Sequence, residues 1–111
     1  MTENLDNKGM KSIVNKYDFY FIDLWGVIHN GIKLHKKAIE TLTQISEAKK
    51  DYTLLTNAPR PNNIVKIFLE KMGMAKNMRE KVYTSGEAAL SYLKKKSSKT
   101  KFLSYWPSKR L

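Results

Sequence analysis

The chain has 111 residues, 41% of them hydrophobic, which is typical of one globular domain and excludes a disordered polypeptide. Its 21 basic residues outweigh 10 acidic ones and give a formal net charge of +11. The absence of cysteine excludes disulfides and thiolate metal sites, and no apolar run approaches the roughly 20 residues of a membrane-spanning helix.

The first third of the sequence predicts one strand and a long loop. Residues 1–16 are expected to form a flexible N-terminal segment with a short helix. The aromatic and β-branched run Tyr17–Leu24 predicts a buried strand. A loop follows over Trp25–Leu34, in which Asn30-Gly31 predicts a tight turn.

The middle of the sequence predicts two helices separated by a strand. Apolar residues recur at helical spacing between Lys36 and Lys50, and Asp51–Thr56 is predicted to be the second strand. The next helix is expected to begin at Pro61 and to end before Gly73. The residues expected to face inward from this helix are Ile64, Ile67, Phe68 and Met72.

The last third continues the alternation of strand and helix. Val82–Thr84 predicts a third strand, and Ser85 is expected to cap a helix that runs to Lys96. The residues expected on the inner side of that helix are Ala88, Ala89, Tyr92 and Leu93. A loop and a fourth strand, Lys101–Tyr105, complete the pattern. We therefore expect residues 17–111 to form one α/β domain, a Rossmann-like, three-layer parallel sheet with right-handed crossovers.

Polar residues end the first two predicted strands. Asp23 lies near the end of the first, and Thr56 ends the second. Ligands bind at the carboxyl ends of strands in such sheets, so these two side chains form a candidate anion and metal site. A carboxylate can attack phosphorus, bind Mg²⁺ or do both, while a hydroxyl and backbone N–H groups hold phosphate oxygens. The alternative is that Asp23 only caps the following turn and Thr56 is an ordinary strand residue.

Three segments carry a resemblance to a known family. Phe21–Gly31 and Leu54–Pro61 resemble the first and second motifs of the haloacid dehalogenase (HAD) superfamily. Tyr83–Ala89 resembles the third-strand segment of its subfamily IIA, which includes sugar-phosphate and nitrophenylphosphate phosphatases. The Trp25-Gly26 form of the first motif is similar to that of an uncharacterised branch, and the similarity extends over about Tyr17–Arg110.

The resemblance implies roles for individual residues. Asp23 would be the nucleophile, forming an aspartyl-phosphate, and a Mg²⁺ ligand, with the backbone carbonyl of Trp25 as second ligand. Thr56 would hydrogen-bond the phosphoryl oxygens, and Asn57 would help through its backbone. The segment Gly26–Gly31 would form a turn and flap that shield the site.

The sequence also departs from the family pattern. Trp25 stands where the family has a second aspartate that acts as general acid and base, and tryptophan transfers no proton. His29 is a candidate substitute, the alternative being an ordinary flap residue. The family's later lysine, its acidic motif and its cap domain have no counterpart before Leu111.

The resemblance therefore implies a partial HAD core without a cap domain, the N-terminal half of a longer protein left by a truncated or split reading frame. In the family sheet the first strand is central, so here it would present an unpaired edge, and unpaired edges promote aggregation. A complementing C-terminal polypeptide is a candidate partner for that edge.

Three functions remain open from the sequence. The first is a Mg²⁺-dependent phosphatase acting on a small phosphorylated substrate, and the second is a catalytically inactive remnant or binding module. The third, a nucleic-acid binder, is disfavoured because 18 of the 21 basic residues are lysine, whereas base-reading sites favour arginine. The aromatic residues near the first strand are also interpreted as core rather than as a stacking platform: Tyr17, Phe19, Tyr20 and Phe21. We expect a cytoplasmic location and no membrane association, because the polar start of the chain does not resemble a signal peptide.

Overall fold

The computed structural model describes residues 9–96, which form three strands and several helices. The helical elements are a short 3-10 helix (Met10–Ser12), α1 (Lys36–Glu47), α2 (Asn62–Lys71), α3 (Lys76–Arg79) and α4 (Ser85–Lys96). The strands are β1 (Phe19–Asp23), β2 (Asp51–Thr56) and β3 (Val82–Thr84). The predicted fourth strand lies outside the described residues. No helix within residues 9–96 is long and apolar enough to cross a membrane.

The three strands form one parallel sheet in the order β1-β2-β3. Phe19 pairs with Asp51 at the start of the β1–β2 ladder, and Asp23 pairs with Leu55 at its end. Thr56 pairs with Thr84 in the β2–β3 ladder. The predicted α/β class with a Rossmann-like parallel sheet is therefore confirmed. The four-residue α3 was not predicted.

The core lies between one face of the sheet and the helices α1, α2 and α3. Leu54 at the centre of β2 and Leu69 on α2 are both 0% exposed. On α1 the predicted apolar face is confirmed, because Leu42 and Ile45 are buried. The remaining buried apolar residues of this cluster are Leu24, Ile28, Tyr52, Val65, Met74, Met78 and Val82.

The opposite face of the sheet is open in the described part of the chain, which corrects one prediction. Burial alternates along β1, so Phe19 and Phe21 point away from the helices, and Phe21 is 72% exposed. Tyr17 is also exposed, whereas Tyr20 is half-buried and its hydroxyl donates a hydrogen bond to the carbonyl of Val14. The interpretation of Tyr17–Leu24 as a buried strand with core aromatics was wrong for Tyr17, Phe19 and Phe21, because the helices within residues 9–96 cover only one face of β1.

The inward faces predicted for two helices also need correction. On α2 the buried residues are Val65 and Leu69, whereas Ile64, Ile67 and Phe68 are exposed and only Met72 is partly buried, as predicted. Apolar residues occupy so many positions of this helix that its periodicity fits two faces, and the packed face is one residue away from the predicted one. On α4 no residue is buried, and Tyr92 is 60% exposed.

Candidate functional site

A cavity of about 580 Å³ opens at the carboxyl ends of β1 and β2. Asp23, Trp25, Thr56 and Asn57, the four residues singled out in the sequence, all line it. A second groove of about 550 Å³, on the open face of the sheet, also includes Asp23, Thr56 and Asn57. The parallel register explains this proximity, because Asp23 pairs with Leu55 and Thr56 is the next residue along β2.

The carboxylate of Asp23 is exposed at the tip of β1 and has one oxygen engaged. Its Oδ1 accepts a hydrogen bond from the backbone N–H of Leu24 at 2.8 Å. This contact reaches only the adjacent residue, whereas the N–H groups of Ile28 and His29 in the following turn donate to the Leu24 carbonyl. It leaves the second oxygen, Oδ2, without a donor among the described residues, and hence available to a ligand or cation.

The loop after β1 is a compact turn built on the Leu24 carbonyl. That oxygen accepts the N–H of Ile28 at 2.8 Å, while the N–H of Gly26 donates to the carbonyl of His29 at 2.8 Å. The Trp25 ring lies across Gly31, where an added Cβ would be 2.3 Å from the indole Cη2 and where φ is +90°. The positive φ favours glycine at position 31, and a larger residue there would also displace the Trp25 ring.

Asn30 forms the turn predicted from the Asn-Gly pair. Its Oδ1 accepts hydrogen bonds from the N–H groups of Ile32 and Lys33, both at 2.9 Å. The predicted loop and its turn are confirmed.

His29 is buried in the cavity wall, with 2% of its surface exposed. Its Nδ1 accepts the backbone N–H of Gly31 at 2.9 Å, and its ring centroid lies 5.1 Å from that of Trp25 and 5.6 Å from that of Phe68. Burial lowers the pKa of His29 and nearby His35 adds to this effect, while Asp23 opposes it. The neutral imidazole is favoured, which weighs against His29 as a substitute general acid.

A buried hydroxyl that the sequence analysis missed fixes the loop after Thr56. Thr84 is 0% exposed, and its Oγ1 donates to the carbonyl of Arg60 and accepts the N–H of Glu87. Its own N–H donates to Oδ1 of Asn62 at 2.9 Å. Thr84, not Ser85, is therefore the residue whose side chain caps α4. The Thr-x-x-Glu spacing of Thr84 and Glu87 is a capping-box signal that could have identified it.

Further hydrogen bonds join the start of α4 to the same loop. The hydroxyl of Ser85 and the N–H of Gly86 donate to the carbonyl of Ala58 at 3.0 and 3.1 Å. The N–H of Asn62 donates to Oε1 of Glu87 at 2.9 Å. The loop that carries Asn57 is thus held by the backbone and side chains of α4.

We expect Thr84→Val to destabilise the fold by about 1–3 kcal/mol, because it leaves the Arg60 carbonyl and the Glu87 N–H without their partner in a buried place. Thr84→Ser keeps the hydroxyl and should cost less. Urea unfolding of both variants beside the wild type measures the difference. Equal losses of stability in Thr84→Val and Thr84→Ser would contradict the role given to the hydroxyl.

The charges around the cavity suit an anion held beside a carboxylate. Arg60 and Lys71 line the cavity together with Asp23. Within residues 9–96 no group of three acidic or histidine side chains is placed to hold a metal ion. The Trp25 carbonyl accepts no hydrogen bond from the described residues. Its oxygen and Oδ2 of Asp23 are therefore two oxygen atoms available as metal ligands. Oxygen atoms of this kind are the ligands that Mg²⁺ takes, often from only one or two protein groups beside water and phosphate.

The fold and the site together define a class. A parallel α/β sheet presents a carboxylate, a hydroxyl and basic side chains at the carboxyl ends of its strands, where open α/β sheets bind their ligands. The chain belongs to the haloacid dehalogenase-like hydrolase family, whose model matches residues 20–109.

Solved structures are similar to this chain over most of its length. One is a haloacid dehalogenase-like hydrolase from Brucella suis, with 31% identity and a TM-score of 0.68 over 84% of this chain and 34% of that one. A glycerol phosphate phosphatase from Mycobacterium tuberculosis, solved with calcium, has 26% identity and a TM-score of 0.59 over 76% of this chain and 24% of that one.

A 4-nitrophenylphosphatase from Thermotoga maritima has 22% identity and a TM-score of 0.62 over 75% of this chain and 32% of that one, a likeness of fold alone. The chain thus spans about a third of the length of these proteins or less. Comparison with curated protein sequences found no significant match.

Proposed function

We propose that this chain carries the nucleophile and the phosphate-binding part of a Mg²⁺-dependent phosphomonoesterase site of the subfamily IIA type. The observation that supports this most strongly is the convergence of Asp23, Thr56 and Asn57 on one cavity rimmed by Arg60 and Lys71. The similarity to a family of hydrolases that includes phosphatases agrees with it.

In the proposed reaction the free oxygen of Asp23 attacks the phosphorus of a phosphomonoester. The bond from phosphorus to the ester oxygen breaks, the alcohol leaves with a proton from solvent, and the phosphoryl group becomes attached to Asp23. Water then attacks the phosphorus and releases inorganic phosphate with the carboxylate restored. The Thr56 hydroxyl and the backbone of Asn57 hold the phosphoryl oxygens throughout.

Magnesium fits this site through the Asp23 carboxylate and the Trp25 carbonyl. When bound, Mg²⁺ supplies positive charge that reduces repulsion between the carboxylate and the phosphate. The chain's own contribution is to hold these two oxygens in place through the turn that closes on the Leu24 carbonyl.

Efficient turnover needs groups that residues 9–96 do not provide at the cavity. Trp25 transfers no proton, and the buried His29 favours its neutral form. We propose that a complementing polypeptide brings the missing lysine and acidic residues by pairing with the free edge of β1. Two observations support this: β1 pairs only with β2 in the described part of the chain, and Phe19 and Phe21 are exposed beside that edge.

The proposal predicts that Asp23→Asn abolishes Mg²⁺-dependent release of phosphate from 4-nitrophenyl phosphate. The amide keeps the shape of the side chain but is a poor nucleophile and a poor cation ligand. The purified chain and the variant are assayed at equal concentration, with and without Mg²⁺. Equal Mg²⁺-dependent rates above the rate without protein would exclude the nucleophile role.

A second candidate is a binding module that holds a phosphorylated ligand without turnover. It is favoured by one observation, that Trp25 occupies the position expected for the general acid and base. Rates for both proteins equal to the rate without protein, together with phosphate binding that depends on Asp23, would assign this function instead.

A further inference from the structure

His29 is a deeply buried polar side chain in the cavity wall to which the proposed reaction gives no role. Its Nδ1 accepts the N–H of Gly31 at 2.9 Å. A ring nitrogen that accepts a hydrogen bond carries no hydrogen, so the single hydrogen of the neutral imidazole is on Nε2. The backbone of the turn therefore fixes the tautomer of this side chain.

The Nε2–H group of His29 has no acceptor among the described residues. Within residues 9–96 no fully buried side-chain nitrogen or oxygen lacks a hydrogen-bond partner. Nε2 makes no such bond, so it is not fully buried, and the ring that carries it lines the cavity. The rings of Trp25 and Phe68 contact the imidazole edge-on and hold it in this orientation.

We propose that His29 is a phosphate-binding residue that donates its Nε2–H to an oxygen of the anionic group bound beside Asp23. This inference rests on the proposed function, because it needs a phosphoryl group in the cavity. It gives the histidine a role different from acid–base catalysis. It also excludes metal ligation by Nε2, because a nitrogen that carries a hydrogen has no lone pair to offer.

The tautomer can be measured in the wild-type chain by ¹⁵N NMR of its imidazole nitrogens. We expect a protonated Nε2 and an unprotonated Nδ1 for His29, and a downfield shift of the Nε2 proton when Mg²⁺ and inorganic phosphate are added. A hydrogen found on Nδ1, or an Nε2 proton that does not respond to bound phosphate, would overturn the proposal. This measurement needs no variant and so does not depend on whether a substitution folds.

Three variants then test the hydrogen bond itself, with inorganic phosphate as the probe in the presence of Mg²⁺. A bond to a charged oxygen contributes enough that His29→Met should weaken phosphate binding about tenfold or more. His29→Gln places an amide N–H near the position of Nε2 and should lose much less affinity for phosphate. Ser91→Ala alters an exposed side chain of α4 that does not line the cavity and should bind as the wild type does.

The outcomes separate this inference from the proposed function. Unchanged binding in a folded His29→Met chain would overturn the role of His29 and leave the phosphate site standing. Failure of the wild-type chain to bind phosphate would contradict the proposed function and this inference together. A large loss of phosphate affinity in His29→Met, together with near wild-type affinity in His29→Gln, supports both the proposed function and the role of His29.

Discussion

Gly86→Ala is expected to displace the loop after Thr56 and to weaken phosphate binding. A Cβ on residue 86 would lie 2.3 Å from the backbone nitrogen of Arg60 and 2.6 Å from its carbonyl oxygen. These are backbone atoms, so the loop must move away from α4 and lose the 3.1 Å hydrogen bond from Gly86 to Ala58. We expect about 1–3 kcal/mol of destabilisation, which is typical of overpacking.

Urea unfolding and phosphate titration of the same variant separate stability from binding. Ser91→Ala is the matched control, since it lies on an exposed part of α4 and should change stability by less than about 0.5 kcal/mol. A Gly86→Ala chain that is as stable as the wild type and binds phosphate equally well would show that the contact with Arg60 does not position the loop.

Leu54→Ala is expected to have the largest effect on stability. Leu54 is 0% exposed at the centre of the sheet, where it belongs to the cluster between β2 and the helices. Truncating a buried leucine removes its transfer free energy and leaves a cavity, together about 2–5 kcal/mol. Small domains are stable by only about 5–15 kcal/mol, so a large part of the total would be lost.

The neighbouring residue provides the control for this experiment. Leu55 is 39% exposed on the open face of the sheet, and Leu55→Ala makes the same chemical change one residue along β2. Thermal unfolding of both variants should show a much larger fall in melting temperature for Leu54→Ala than for Leu55→Ala. Similar losses would mean that the open face is covered in solution, for example by a second polypeptide.

Much of the fold and the candidate site could be predicted from local signals. Strand β2 was predicted with its observed bounds, and β1 to within two residues at its start. Because parallel strands end at one edge, the sequence alone places Asp23 and Thr56 together. The Asn30-Gly31 turn was likewise predictable, since its hydrogen bonds are local.

The remaining features depend on which surfaces pack against each other. The face that α2 buries was ambiguous because apolar residues surround much of that helix, and packing selected Val65 and Leu69. The exposure of Phe21 could not be predicted from composition, since it depends on the helices within residues 9–96 packing on one face of the sheet. The bond from Thr84 to Arg60 joins residues 24 positions apart, and no local pattern encodes such a contact.

The most direct test asks whether Mg²⁺ and a phosphate group meet at the side chain of Asp23. Backbone amide NMR of the 111-residue chain, titrated with Mg²⁺ and then with inorganic phosphate, reports the position of both. We predict shifts concentrated in the turn after β1 and in the loop after β2, and their loss in Asp23→Asn. Shifts confined to other surfaces, or an equal response in Asp23→Asn, would contradict the site proposed for this family member.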